Sequence, residues 1–285
     1  MSSMETAVGA VQPPTIEDAG PELLDGATLE KHPQFASTLA NGLAVLGCYG
    51  SGAPALGNKE IAERLGLTRP TVSRLAFTLM GLGYLRRDKK TGKYSLGAAV
   101  LSLGYPLLSQ LTIRQVAGPE MLDLARYAHG PVSVGTRDRL QVVYVETAQG
   151  AETNSTKPGI GSTRPFLRTA IGRALLHAHS PNDRALIVRR LRSGQPEDWA
   201  AYGDALSRAF AEIDQRGFCI VAGDWRPDLA AVAVPMKAEV NGMSLAFNLT
   251  VPSYATDRDQ LEKSLGPRLV SLVRGIEHKL GLAAG

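Results

Sequence analysis

Arg69, Thr71, Ser73, Arg74 and Thr78 fall within one short segment and are of the types that read nucleic acid. A guanidinium donates two hydrogen bonds to the edge of a guanine, and hydroxyls reach phosphates or bases. Thr68 and Pro70 stand among them, and both suit the start of a helix, one as its cap and one in its first turn. A helix N-terminus adds a favourable dipole toward phosphate. A few residues on, Arg86, Arg87, Lys89, Lys90 and Lys93 form a basic cluster suited to a phosphate backbone. Over residues 59–97 bases far outnumber Glu60, Glu63 and Asp88, whereas residues 1–33 hold six acids against Lys31. Each residue also has a plainer reading: Thr68 as a helix cap, Arg74 as the partner of a surface carboxylate, the cluster as a solvated basic face.

Other chemistries find little support. His177 and His179 are two apart on an expected helix, face different ways, and make poor joint metal ligands; His129 and His278 are isolated. There is no G-x-S-x-G, phosphate-binding loop or dinucleotide fingerprint. Cys48 and Cys219 lack C-x-x-C spacing, cannot build a zinc site, and read as small buried apolar residues. No catalytic residue, metal or cofactor is expected.

The elements that must position the basic residues follow from periodicity and punctuation. From Phe35, Leu39, Leu43 and Leu46 mark one face of a helix that the Gly50–Pro54 cluster stops. Gly57 or Asn58 caps a second helix with Ile61, Ala62 and Leu65 inward, and Gly66 ends it. Thr68 opens a third, with Val72, Leu75, Ala76 and Leu79 as its buried stripe. The period then switches: residues 84–86 and 93–96 are short strands around a polar turn at 88–92. Two helices with a tight turn between them, then a basic hairpin, predict a winged helix-turn-helix over residues 34–97.

Residues 98–118 complete a connecting helix that begins near Leu96, with Leu103, Leu107, Leu108 and Leu111 apolar. Beyond Pro119, strands at 132–134, 140–145, 230–234 and 245–251 alternate with helices at 121–127, 169–179 and 181–191, another ending near Arg216-Gly217, and a last one capped by Thr256. Arg137-Asp138-Arg139 reads as a turn. The mixture around an antiparallel sheet predicts an α+β domain over 119–285. Residues 1–33, with four prolines and little apolar periodicity, read as a disordered acidic tail.

The chain of 285 residues is long enough for two domains. Its 44% apolar and 20% charged residues suit a globular protein, and its net charge of +4 says less than the charge distribution. No apolar run spans a bilayer, and the N-terminus carries acids and prolines where a signal peptide is basic and apolar, so the cytoplasm is the expected location.

The series Asn41-Gly42-Leu43-Ala44-Val45-Leu46, Glu60-Ile61-Ala62-Glu63-Arg64-Leu65-Gly66-Leu67, Ser73-Arg74-Leu75, Leu82-Gly83-Tyr84-Leu85 and Tyr94-Ser95-Leu96-Gly97 resembles the isocitrate lyase regulator (IclR) family of transcription factors. The segment Arg168 to Leu176, then Arg216-Gly217-Phe218 and Ala231-Val232-Ala233-Val234-Pro235, continues the resemblance in order to about residue 280. The resemblance implies a winged-helix domain, a linker helix that dimerises, and a GAF-like α/β effector-binding domain. It further implies dimers that often pair into tetramers, palindromic or repeated operators, repression or activation according to effector, and small organic or aromatic acids as effectors, with a catabolic operon as the target.

By position, the family's pocket falls on Ala170 and Ile171, on Val221 to Asp224, on Leu229 and Ala231, and on Asn248 and Thr250. Two apart in an apolar strand, Asn248 and Thr250 share a face, which is either the pocket's or the solvent's. Gly223-Asp224-Trp225-Arg226-Pro227 is a distinctive loop, in which Trp225 either walls a ligand or packs. Two rivals stand beside a ligand-responsive regulator: a winged-helix protein that senses nothing, and an enzyme with its chemistry in the C-terminal domain.

Overall fold

A computed structural model describes residues 26–50, 54–150 and 158–282. The chain divides into two units, residues 1–35 and 36–285. In the first, helix α1 (Gly26–Lys31) occupies the end of the segment expected as an acidic tail, and residues 1–25 lie outside the described residues.

In the second unit, α2 (Ser37–Gly47), α3 (Asn58–Leu65) and α4 (Arg69–Gly81) precede a hairpin of β1 (Leu85–Arg87) and β2 (Tyr94–Leu96). Their boundaries are set locally. Gly57 is extended, and its N–H donates to Glu60 Oε2 at 2.7 Å, so the side chain inside the helix caps the backbone before it. Gly66 closes α3 at φ 66°, a left-handed conformation in which a Cβ would be strained. Thr68 Oγ1 then accepts the Thr71 N–H at 3.3 Å and opens α4, with Pro70 in its first turn. Val45, Ile61, Val72, Ala76, Leu79, Leu85 and Tyr94 form the core these elements share.

Two expectations here are corrected. Of the expected stripe Leu39, Leu43 and Leu46, Leu46 packs against the core, but Leu39 and Leu43 are 64% and 55% exposed, and Val45 is buried instead. This helix is apolar on more than one side, so period alone does not say which side its neighbours cover. The hairpin also gains a third partner, since Leu56 and Tyr94 exchange backbone hydrogen bonds at 2.8 Å each way.

The connection differs as well. Instead of one helix from Leu96 to about Ala117 and another from Met121, the chain forms α5 (Ala99–Gln110) and α6 (Thr112–Ala128), broken at Leu111. Leu111 leaves the helical region at ψ 95° and is buried, while α6 runs through Pro119. A proline removes one helical hydrogen bond, but Ile113, Ala117, Met121, Leu124 and Ala125 bury a continuous stripe that offsets the loss. Helix α5 buries no residue, and Leu101, Leu103, Tyr105 and Leu107 are each more than half exposed.

The remaining elements are β3 (Val132–Asp138), β4 (Gln141–Ala148), β5 (Thr163–Pro165), α7 (Ala170–Ala178), α8 (Pro181–Gly194), α9 (Pro196–Arg216), β6 (Cys219–Ala222), β7 (Leu229–Pro235), β8 (Ala246–Pro252), α10 (Arg258–Gln260), a π-helical turn at Leu261–Leu265 and α11 (Gly266–Lys279). The six strands make one antiparallel sheet in the order β5-β4-β3-β8-β7-β6. Alternation sorts its residues. Val132, Val134, Val232, Val234, Phe247, Leu249 and Val251 pack with α6 and α11, and α7 covers the opposite face of β7 and β8.

Two short strands, β5 and β6, carry no period that a sequence reading detects. The turn expected over Arg137-Asp138-Arg139 narrows to Arg139, at φ 52°, and Leu140, because β3 pairs with β4 as far as Asp138↔Gln141. The last helical segment is capped by Asp257, whose carboxylate accepts the Gln260 N–H at 2.7 Å, not by Thr256. Among the described residues no helix is long and apolar enough to cross a membrane.

Candidate nucleic-acid interface and ligand cavity

Every basic residue singled out in the winged helix reaches solvent. Arg69, Ser73, Arg74 and Thr78 lie on the exposed side of α4, with Thr71 partly covered. Several of the polar side chains already have work. Thr68 Oγ1 and Thr71 Oγ1 are 2.8 Å apart, Ser73 Oγ accepts from Asn58 Nδ2 at 2.8 Å, and Thr78 Oγ1 donates to the Arg74 carbonyl at 3.2 Å. Pro70 is exposed and sits in the first turn of α4. The guanidinium groups of Arg69 and Arg74 have no hydrogen bond or ion pair within the described residues. Phe77, 75% exposed on the same helix, was not anticipated as part of this surface.

The wing is built by its aspartate. Asp88 Oδ1 accepts from Thr91 N–H at 2.7 Å, Thr91 Oγ1 at 3.0 Å and Lys90 N–H at 2.8 Å. Hydrogen bonds from the Thr91 backbone and hydroxyl, then from the Lys90 backbone, hold its carboxyl below the usual aspartate range. The turn presents Lys89 and Lys90 to solvent without a carboxylate partner among the described residues. Arg87 lies over the Tyr94 ring and donates to the Gly92 carbonyl. Lys93 differs from its neighbours: it pairs with Glu60 at 3.2 Å.

The second site is a cavity on the α7 face of the sheet, holding about 590 Å³ of empty space including its open mouth. Its walls come from distant parts of the chain: Pro131 and Tyr144, the β5 residue Arg164, Arg168, Thr169 and Ala170 at the start of α7, Val221, the loop residues Gly223, Trp225 and Arg226, then Leu229 and Ala231, and Asn248 and Thr250. Of the residues expected there, Ala170, Val221, Trp225, Leu229, Ala231, Asn248 and Thr250 line it. Asn248 and Thr250 face the cavity, and Asn248 is 3% exposed.

Ile171 and Asp224 do not line it. One helical step turns Ile171 away, so that a Cβ on Gly135 would come within 3.0 Å of its Cδ1. Asp224 accepts from Arg173 Nη2 at 2.5 Å, and Arg173, itself 4% exposed, also donates to the Leu167 carbonyl at 2.8 Å. This pair ties the loop carrying Trp225 to the helix that opens the cavity. Gly172 lets α7 start close against the preceding segment, since a Cβ there would lie 2.2 Å from the Phe166 carbonyl oxygen.

Tyr144, Arg164, Arg168, Thr169, Pro131 and Arg226 are lining residues that the sequence reading missed. The three arginines differ. Arg168 is paired with Asp198 and Arg226 with Asp228. Among the described residues Arg164 has no carboxylate within 4 Å; its guanidinium lies 4.8 Å from the Tyr144 ring centroid and 4.7 Å from that of Trp225. Burial raises the Tyr144 phenol above its ordinary pKa, opposed by the charge of Arg164. The face is basic and aromatic at one edge, apolar along Val221, Leu229 and Ala231, and polar at Asn248 and Thr250, which suits a small acid.

Comparison with known proteins agrees in both halves. Residues 38–89 match the IclR helix-turn-helix domain, and residues 106–278 match the bacterial transcriptional regulator IclR C-terminal domain. The HTH-type transcriptional regulator TsaQ1/TsaQ2 of Comamonas testosteroni is 31% identical over 248 residues, which cover 86% of this chain and 89% of that protein. A crystal structure of an IclR family transcriptional regulator from Brucella abortus has a TM-score of 0.79 and 40% identity, covering 91% of this chain and 97% of that one. An IclR homolog from Microbacterium hydrocarbonoxydans, crystallised with 4-hydroxybenzoate, shares the fold at a TM-score of 0.67 and 22% identity, covering 86% of this chain and 100% of that one. With the winged helix and the α/β domain each matched along nearly their whole length, the chain belongs to the IclR family and is a DNA-binding transcriptional regulator.

Proposed function

We propose that this regulator changes its hold on an operator when a small organic or aromatic acid enters the cavity beneath α7. The observation that carries the reading is the cavity itself: apolar walls, a few converging polar groups, and an arginine with no acid beside it among the described residues. The relative bound to 4-hydroxybenzoate lends support to an aromatic acid. Arg69 and Arg74 read bases, Arg87, Lys89 and Lys90 hold phosphate, and Thr68, Pro70, Thr71 and Ser73 set the start of the reading helix. Lys93 contributes through Glu60 and the wing rather than through phosphate. The chain works as a cytoplasmic homodimer on a palindromic or repeated operator, with the apolar surface of α5 as a self-association face. Residues 34–97, 98–118 and 119–285 serve as reading, linking and sensing parts. No catalysis is assigned to it.

The test is fluorescence anisotropy of the full chain on the DNA flanking its own gene, across a salt series and with a panel of small carboxylic acids. Salt-sensitive binding that one acid shifts supports the reading. Specific binding that no acid in a broad panel alters defeats its ligand-responsive part, and equal affinity for random DNA defeats the base-reading assignment.

A further inference from the structure

Phe77 is 75% exposed on α4, more than Leu39, Leu43 or Leu82 of the same domain. The fold does not account for this ring. Helix α4 turns Val72, Ala76 and Leu79 to its own core. At an exposed helical position a straight-chain residue costs least, and an aromatic one loses rotamer freedom. Phe77 therefore stands where the stability of the domain gains nothing from it.

Its position says more than its exposure. Pro70, Ser73, Arg74 and Phe77 are spaced so that they share one side of the helix. The flanks of that side are already in use. Thr71, Leu75 and Thr78 line a hollow together with Thr38 and Asn41 of α2, and Ser73 accepts from Asn58 of α3. From Pro70 to Phe77 the helix rises about 10 Å, or about three base pairs of duplex. The ring thus continues the side of α4 that carries Arg74, by one further helical turn, and forms no separate surface.

The major groove offers one match to such a group. Base edges there present donors and acceptors, which guanidinium and hydroxyl groups address, and a single apolar feature, the C5 methyl of thymine. A phenyl ring has no proton to give to a phosphate or a base. It gains by leaving water, and the methyl is the apolar surface within reach of a helix lying in that groove.

We infer that Phe77 is a specificity-determining residue of this regulator, its ring packing on a thymine methyl of the operator beside the base pair that Arg74 addresses. This rests on the reading of α4 as the base-reading helix, and adds a base type and the side chain that selects it. Continuity with Ser73 and Arg74, inside the matched helix-turn-helix domain, favours the duplex over a second copy of the chain as the cover for this ring.

The test begins with duplexes selected from a random-sequence library by the full chain. In the selected consensus each thymine is replaced singly by deoxyuridine, which removes the methyl and keeps the hydrogen bonds of the base pair. Fluorescence anisotropy then reads wild type, Phe77→Ala and Phe77→Leu on every duplex. At one thymine, wild type should lose about fourfold in affinity with the methyl, the worth of one buried carbon. Phe77→Ala should bind the thymine and deoxyuridine duplexes equally at that position, and Phe77→Leu, still apolar, should keep part of the difference. Each ratio is taken within one protein, so a change in stability cancels. A consensus with no methyl-sensitive thymine, or one whose sensitivity survives Phe77→Ala, overturns the assignment and leaves base reading by α4 standing. Selection that yields no consensus overturns base reading and this assignment together. An unchanged thymine ratio in Phe77→Ala, with self-association lost in sedimentation, overturns it in favour of a second copy of the chain.

Discussion

The cations of the two domains are treated differently. In the winged helix, Arg69, Arg74, Arg86, Arg87, Lys89 and Lys90 are exposed and have no carboxylate within 4 Å among the described residues. In the C-terminal domain, Arg114, Arg168, Arg173, Arg216, Arg226, Arg258 and Arg274 each hold an aspartate or glutamate. A charge kept for a polyanion outside the chain must stay hydrated and uncompensated, so that counterions leave when DNA arrives. A charge drawn into a fold must bring its partner with it, because desolvation of a lone ion is expensive. Arg164 and Arg184 break the second pattern: both lie in the C-terminal domain, partly covered, over aromatic rings, with no carboxylate within 4 Å among the described residues.

The contrast yields measurements. The largest effect is expected on stability at Asp224→Ala, which strands the buried Arg173; about 2–3 kcal/mol should be lost in urea unfolding, tempered by the partial exposure of Asp224. A loss under half a kcal/mol would mean that Arg173 finds carbonyls enough without its acid. Next is Arg74→Ala. It should cost roughly 1–3 kcal/mol in operator affinity and relax sequence preference, with no change in unfolding midpoint. Equal weakening on specific and random DNA would move Arg74 from base reading to phosphate contact.

A smaller, purely electrostatic effect should come from the wing. Lys89→Ala with Lys90→Ala should lower the salt slope of DNA binding by about two, while Lys93→Ala, already paired with Glu60, should lower it by much less. Equal slopes for all three lysines would erase the distinction between paired and unpaired cations. The smallest effect is at Asp88. Its folded pKa is depressed, so its contribution to the wing turn is present above the ordinary aspartate pKa and fades as pH falls through the lowered value. A carboxyl titration followed by NMR should place its midpoint below 3.8, and an ordinary midpoint would show that the three donors do not hold it.

The winged helix was legible because its determinants are local. A left-handed Gly66, the Thr68 cap, Pro70 one turn in, and the Asp88 turn each act within three or four residues. Which side of α2 is buried was not, since Leu39 and Leu43 satisfy helical period as well as Val45 does. The cavity was legible where strand alternation or a helix start defines it, at Asn248, Thr250 and Ala170. It was illegible at Tyr144, on β4, and at Arg164, which enters from the sheet edge on β5, a three-residue strand ending in proline. Ile171 and Asp224 were placed in it by adjacency, but side-chain direction decides: one points into the core, and the other is spent on Arg173. Similarly, Pro119 looked like a helix boundary, and tertiary packing on Ala117 and Met121 carried α6 through it.

Helix α5 has a consequence for how the molecule behaves in dilute solution. Twelve residues with none buried are too few to stay helical in water by propensity alone. With α5 as the proposed self-association face, its order becomes a property of the population of chains rather than of one chain. As concentration falls below the point where chains meet, this segment should unwind first, and the length of the rod between reading and sensing parts becomes a matter of mass action.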